Sequence, residues 1–414
     1  MVRPWRRSFV TMRRVSGQAL HEKKTNILER WKAGASDFLY DRLEPVAVQH
    51  RGILKKVAFI GITGSYAKTT TKDLIAAILR GRARTSATKG TLNSPPQIIK
   101  TILRTTPFHH ACVIELGAGG PGTLDRGIRL AVPSIAVITH VGLDHYRAFR
   151  SREAVAAEKS KLVAALPATG VAILNADDPL VLAMGEKTAA RKILYGIQSP
   201  EADLRASHIR SSWPERLTFT VHTKDGALPV ETKLCGKHWV PAVLAALGTA
   251  VAMNLPPEEA LPSIAAFDPP ERRMSPLPLG SNITIIRDDY KAPYLSVPSC
   301  LDFLRDARAK RKIFILGTLS DYPGASSKKY RKVLTEALTV SERVFLVGPF
   351  RAHIASRLSE TGFAGRTRGF LSVEGLAGHL CETSEPGDLI LIKGSENADR
   401  LDRLVDILKE RLPS

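Results

Sequence analysis

Val57-Ala-Phe-Ile-Gly-Ile-Thr-Gly-Ser-Tyr-Ala-Lys-Thr-Thr-Thr71 is the stretch that decides the fold. Its first half is apolar and β-branched and reads as a buried strand over residues 57–63. A short Gly/Ser turn follows, and a helix is expected to begin near Thr70. In a strand–loop–helix of this kind the amides of Gly64, Ser65, Tyr66 and Ala67 and the helix N-terminus can cradle phosphate oxygens. Lys68 would reach the terminal phosphates, and the hydroxyl of Thr69, with Thr70 beside it, would face a Mg²⁺ ion. The strict pattern places glycine before the lysine, and here that residue is Ala67. Read alone, the stretch leaves open the blander alternative of a Gly/Ser strand-to-helix turn with an incidental lysine.

Working outward, apolar runs at 112–117, 135–139 and 171–175 read as further buried strands. Helical patterns at 72–79 and 153–166 lie among them, and such alternation implies a parallel sheet covered on both faces. Residues 217–222 alternate instead, and a Lys224-Asp-Gly226 turn follows them, so 203–235 reads as a small antiparallel insert. A well-buried helix is expected at 240–253. The prolines between Pro262 and Pro278 mark a linker, beyond which strands at 283–287, 312–316, 343–347 and 388–392 resume the alternation. The expected fold is therefore α/β: a P-loop central domain with a parallel sheet over 53–268 and a smaller Rossmann-like α/β domain over 269–414. A basic helical segment at 1–52 precedes them.

Sixty Lys+Arg against 40 Asp+Glu give the 414-residue chain a formal charge of +20, densest over residues 1–56, which alone carry +8. Such a charge first suggests nucleic acid. No zinc finger or aromatic-interleaved basic stretch accompanies it, and aromatic residues make up only 6% of the chain. Specific nucleic-acid binding is therefore not expected. Cys112, Cys235, Cys300 and Cys381 are widely spaced, which fits a reducing compartment better than a disulfide framework or a zinc site. No apolar run reaches the roughly 18 residues that a membrane span needs, and charged residues interrupt the Arg-rich start, so export is not expected.

Several short motifs follow the loop in order. They are Val113-Ile-Glu-Leu-Gly-Ala118, Val137-Ile-Thr-His-Val-Gly-Leu-Asp-His145, Glu158-Lys-Ser160, Leu174-Asn-Ala-Asp-Asp-Pro179, Gly236-Lys-His238 and Leu391-Ile-Lys-Gly-Ser395. Together with Thr63-Gly-Ser-Tyr-Ala-Lys-Thr-Thr-Thr71, their order and spacing resemble the Mur ligase family, most closely its D-alanyl-D-alanine-adding branch. The likeness covers about residues 55–400. It implies an ATP-dependent ligase that phosphorylates a carboxylate and lets an amine displace phosphate from the acyl phosphate. The implied partners are ATP, a small-molecule or peptide acid, and an amino acid or dipeptide, in the cytoplasm.

The same likeness implies the site residues. Lys68 is implied for the phosphates and Asn93 near the γ-phosphate. Thr69 and Glu115 are implied for one Mg²⁺, and His145 with a carbamylated Lys159 for a second; His140 and Asp144 are weaker neighbours. In the second domain it implies Asp289, with Asp288 next, for the ribose, Lys291 for the phosphates, and Arg273 as the linker arginine. Lys393 and Ser395 are implied for the incoming amine, although Ser395 reads equally as a helix cap. Three departures stand out: Ala67 in the loop, Trp239 and Ala242 where the family often has adenine-contacting asparagines, and only 56 residues ahead of the loop strand. From the last comes the expectation of a non-standard acceptor, with the basic segment docking an anionic substrate, a partner protein or a membrane surface. A UDP-muropeptide ligase needing a partner and a silent nucleotide-binding regulator are the alternatives.

Overall fold

The computed structural model describes residues 38–359 and 365–412. Most of the basic segment expected at 1–52 thus lies outside the described residues. Its described part includes the helix Glu44–Ile53, which packs on the helices Pro95–Arg104 and Thr123–Ala131. Ala47 is buried, Arg51 donates to the carbonyls of Ala131 and Val132 at 2.7 Å each, and its guanidinium lies 3.8 Å from the centre of the Phe59 ring.

Two sheets organise the rest. The first is built from β1 (Ala58–Thr63), β2 (Thr85–Ala87), β3 (Ala111–Glu115), β4 (Ile135–Ile138), β5 (Val171–Asn175), β6 (Arg191–Gly196), β7 (Leu204–Arg210), β8 (Thr218–Thr223) and β9 (Gly226–Glu231). Their order is β2-β3-β1-β4-β5-β6-β7-β8-β9, parallel as far as β7 and antiparallel thereafter. Strands β1, β3 and β5 are buried almost throughout, because helices cover both faces. After β1 the chain passes to β2 and β3 on one side, then crosses to β4 on the other. The order reverses beside β1, and ligands of parallel α/β sheets gather at such a reversal, outside the strands' C-terminal ends.

The second sheet contains β10 (Ser275–Pro278), β11 (Thr284–Asp288), β12 (Arg311–Leu316), β13 (Arg343–Val347), β14 (Thr367–Phe370) and β15 (Asp388–Lys393). They lie in the order β10-β11-β15-β12-β13-β14, and only β10 is antiparallel. One apolar cluster runs from Ile60 and Val113 through Val243 and Leu247 of the helix Val240–Ala252 to Ile286, Phe314 and Leu346 of the second sheet. The two sheets therefore share a dry interface, and this fixes how their edges meet. Among the described residues no helix is long and apolar enough to cross a membrane.

Two details differ from the sequence reading. The antiparallel strands expected at 203–235 are present as β7–β9, but they are joined to the first sheet, since β7 pairs with β6 in parallel through Tyr195–Leu204 and Gly196–Arg205 and so prolongs it. The alternating pattern of β8 and β9 marks their half-exposed faces but does not reveal which neighbour β7 chooses. Nor is the proline run all linker. The helix Pro257–Ala266 continues through Pro262, and Pro276 and Pro278 sit in β10, an edge strand that tolerates the missing N–H groups.

Candidate active site

The turn after β1 is shaped by two unusual backbone angles. Gly64 has φ 152°, and a Cβ there would lie 1.9 Å from the Thr139 hydroxyl oxygen, so only glycine fits. Ala67 has φ 62° and ψ −1°, left-handed backbone immediately before the helix Lys68–Arg80. Such a conformation costs a residue with a Cβ about 1 kcal/mol, which is why glycine is the expected occupant. The helix starts at Lys68, two residues earlier than the sequence suggested. The Ser65 N–H donates to the His140 carbonyl at 2.8 Å, and the Thr139 hydroxyl donates to the Tyr66 carbonyl at 2.7 Å. These bonds hold the loop against the end of β4.

Lys68 folds back on the loop, its ammonium donating to the Gly64 carbonyl at 2.7 Å. Burial lowers its pKa to about 8, nearby Lys159 and Lys291 push the same way, and Glu115 and Asp144 oppose them. Three cations thus face one small region, and a polyanion is the ligand that would relieve their repulsion. The Thr70 hydroxyl, in the first turn of the same helix, is buried without a hydrogen-bond partner. The glycine cradle, the crowded cations and this orphaned hydroxyl all fit a bound triphosphate.

Next to the loop, the Thr69 hydroxyl donates to Glu115 Oε2 at 2.8 Å and the Asn93 amide donates to Oε1 at 2.9 Å. Glu115 ends β3 and is only 2% exposed. Arg273, from the start of the second domain, reaches the Thr69 hydroxyl at 3.4 Å and stacks over the Tyr290 ring at 4.6 Å. A hydroxyl, a carboxylate and an amide oxygen are hard donors of the kind Mg²⁺ takes. Among the described residues no group of three or more His, Cys, Asp or Glu could cage a metal. A Mg²⁺ ion here would be one completed by phosphate and water, and the residues present fit that ion.

A second cluster lies across the loop. Asp144 accepts from the Ser65 hydroxyl at 2.7 Å and from the Lys159 ammonium at 3.1 Å. Lys159 is 1% exposed on the helix Arg152–Ala164, whose N-terminus Ser151 caps by accepting from the Ala154 N–H at 3.1 Å. Burial lowers the Lys159 pKa and Asp144 counters it. His145 has left-handed backbone, φ 48°, and its N–H donates to Asp321 of the second domain at 3.0 Å. Burial lowers its imidazole pKa, which keeps the ring a neutral donor of the kind that ligates metals. His140 is occupied otherwise, paired with Asp178 at 2.8 Å and packed on the Tyr66 ring at 4.5 Å.

The second-domain candidates are distributed less simply. Asp289 is fully buried and held by Arg272 at 3.0 Å and Arg287 at 2.9 Å. Asp288 is paired with Lys393 at 2.5 Å. Lys393, implied for the incoming amine, is 2% exposed and also donates to the Lys291 carbonyl at 3.2 Å, so it braces the turn that carries Lys291. Lys291 itself is exposed. The Ser395 N–H donates to Asp399 at 3.0 Å, and its hydroxyl makes no cap. Trp239 and Ala242 are buried in the shared core. The Trp239 indole N–H has no partner, and its ring packs at 4.7 Å from His238. A cleft of about 440 Å³ lined by Lys237, His238, Asp302 and Asp306 opens beside it.

The structure thus links Thr69, Asn93, Glu115 and Arg273 in one group and Ser65, Asp144 and Lys159 in another, with Lys68 feeling the charges of both. Sequence reading passed over Lys72, Thr88, Tyr290 and Asp321, which support these groups. Their only signal in the sequence is proximity to the motifs.

Comparison with known proteins identifies the family. Residues 62–250 match the Mur ligase middle domain and residues 272–396 match the family model described as Mur ligase, glutamate ligase domain. The UDP-N-acetylmuramoyl-tripeptide–D-alanyl-D-alanine ligase of Mycobacterium tuberculosis H37Rv is 30% identical over 374 residues, covering 85% of this chain and 73% of that protein. The same-named enzyme of Escherichia coli K12 is 28% identical over 358 residues, with 85% and 76% covered. Among solved structures, MurF from Acinetobacter baumannii superposes with a TM-score of 0.81 at 22% identity, covering 89% of this chain and 80% of that one. MurF from Thermotoga maritima in complex with ADP gives 0.79 at 19% identity, with 90% and 84% covered. The chain belongs to the Mur ligase family of ATP-dependent amide-bond-forming enzymes.

Proposed function

We propose that the chain activates a carboxylate with ATP and couples it to an amine through an acyl phosphate. In the first step a carboxylate oxygen attacks the γ-phosphorus, and the bond to the β–γ bridging oxygen breaks as ADP leaves. In the second the amine attacks the acyl carbon, the tetrahedral adduct expels inorganic phosphate, and the amine's proton is lost. Both steps gather negative charge where Lys68, Lys291 and Arg273 converge, and preorganised cations are the main way a protein lowers such barriers. That convergence, with Arg273 of the second domain reaching Thr69 of the loop at 3.4 Å, carries the proposal.

Thr69, Asn93 and Glu115 would hold one Mg²⁺ ion. His145 and a carbamylated Lys159 would hold a second, with Asp144 adjacent. Bound metal would neutralise phosphate charge and leave the γ-phosphorus open to attack. The Arg272–Asp289–Arg287 network supports the linker beside Arg273 (the ribose role assigned to Asp289 by resemblance requires one of those ion pairs to open).

Relatives across 85% of the chain are named for one pair of substrates, UDP-N-acetylmuramoyl-tripeptide and D-alanyl-D-alanine. We propose that pair, or an acid and dipeptide of the same chemistry, as the first substrates to test; a different acceptor is the second reading. The test is phosphate release with ATP, Mg²⁺ and the pair, followed by mass spectrometry of the product. Turnover requiring both acid and amine supports the ligase. Nucleotide binding with no turnover on any acid–amine pair would instead indicate a regulator.

A further inference from the structure

The least expected side chain near the site is Lys72, an ammonium with no exposed surface. It lies one helical turn beyond Lys68 on the helix Lys68–Arg80. Its Nζ donates to the Thr88 carbonyl at 2.8 Å and the Gly90 carbonyl at 2.6 Å, and it pairs with Asp73 at 2.9 Å. Burying an ammonium is costly unless its donors are matched, as here. The function described so far does not use this group.

Both of its carbonyl partners belong to the segment that shapes the Glu115 site. Thr88 accepts the Glu115 N–H on its hydroxyl at 3.0 Å, fixing the backbone of the carboxylate-bearing residue. Gly90 turns the chain with φ 51°. Just beyond it Thr91 pairs with the Tyr290 hydroxyl of the second domain, and Asn93 donates to Glu115 Oε1 at 2.9 Å. One buried ammonium therefore ties together two carbonyls whose neighbours hold Glu115 from its backbone and from its side chain.

We infer that Lys72 is a positioning residue that holds residues 88–93 against Glu115 and so sets the geometry of the Thr69–Glu115 metal site. It touches neither nucleotide nor metal. This rests on the reading of Thr69 and Glu115 as Mg²⁺ ligands. Partners that orient ligands typically change metal affinity by about 10–100-fold when removed.

The test is calorimetric titration of ADP into the full chain, with and without Mg²⁺, for the wild type and Lys72→Met. The variant is expected to bind metal-free ADP as the wild type does, while the Mg²⁺ concentration that half-saturates the tightening of ADP binding rises about tenfold or more. Circular dichroism establishes that the variant is folded. If Lys72→Met does not fold, Lys72→Gln, which keeps two donors for the carbonyls, is expected to shift in the same direction by a smaller factor. A folded variant with the wild-type Mg²⁺ requirement would overturn the positioning role. So would an equal loss of metal-free ADP binding, which would make Lys72 a part of the general scaffold. Wild-type protein whose ADP binding ignores Mg²⁺ would overturn the metal-site reading itself.

Discussion

The hydroxyl of Thr69 donates to the carboxylate of Glu115 across 2.8 Å, joining the first turn of the helix after β1 to the end of β3. These residues are 46 apart in sequence and meet only because β1 and β3 are parallel neighbours in register, Ile62 opposite Glu115. Each end of the contact has a second partner, Arg273 on the hydroxyl and Asn93 on the carboxylate. Thr69 and Asn93 therefore meet on one carboxylate, and Arg273 of the second domain joins them through the Thr69 hydroxyl.

Glu115→Gln keeps the shape of that side chain and removes its charge. Phosphate release should fall by about a hundredfold or more at fixed Mg²⁺, the size of effect seen when one preorganised electrostatic partner is lost. Added Mg²⁺ should restore part of it. Kinetics across a Mg²⁺ series check this, and a variant with unchanged turnover would remove Glu115 from the metal site.

Lys159 must be unprotonated to take up CO₂, and its burial favours that form. The resulting carbamate would be anionic beside Asp144, so the two would need a cation between them. Turnover in CO₂-depleted buffer should drop and recover on adding bicarbonate, with a carbamate carbon visible by ¹³C NMR. Activity indifferent to CO₂ would leave Lys159 an ordinary ammonium paired with Asp144.

Ala67→Gly relieves the left-handed backbone at φ 62°. The gain should be about 1 kcal/mol, reduced by the greater freedom glycine has in the unfolded chain. Urea denaturation reads it directly. A clear loss of stability would mean that the methyl packs against the neighbouring core more than the backbone strains.

Burial lowers the pKa of His238 from 6.5 to about 4, with Asp288 opposing the shift and Lys393 adding to it. The folded protein therefore holds this imidazole neutral while the unfolded chain protonates it. Between those values the unfolded state binds the extra proton, so stability is full above about pH 6.5 and falls as pH drops towards 4. The loss from this group is on the order of 3 kcal/mol, and His238→Gln should flatten that part of the profile. A variant whose stability keeps the wild-type slope between pH 6.5 and 4 would place the acid sensitivity elsewhere.

How much of this was legible in the sequence depended on range. The strand–loop–helix at 57–71 could be read because glycine, lysine and threonine have fixed jobs at short spacing. The placement of Glu115 and Lys159 followed from motif order. The pairing of β7 with β6 was not legible, because alternation reports which side chains are buried and not which strand lies alongside. Asp289 is implied for the ribose by the family likeness, and the sequence did not show that Arg272 and Arg287 hold it. Arg287 is only two residues away, but Arg272 precedes β10 and reaches Asp289 only because β10 pairs antiparallel with β11. Lys72 resembled any helical lysine, and only its burial against two carbonyls of a distant segment distinguishes it.

The central claim, phosphoryl transfer to a carboxylate, is tested most directly by isotope transfer. The acid is labelled with ¹⁸O in its carboxylate and turned over with ATP, Mg²⁺ and the amine. One ¹⁸O should appear in the inorganic phosphate for each amide bond formed, because the oxygen that attacks the γ-phosphorus leaves with it. Amide product accompanied by unlabelled phosphate would contradict the acyl-phosphate mechanism.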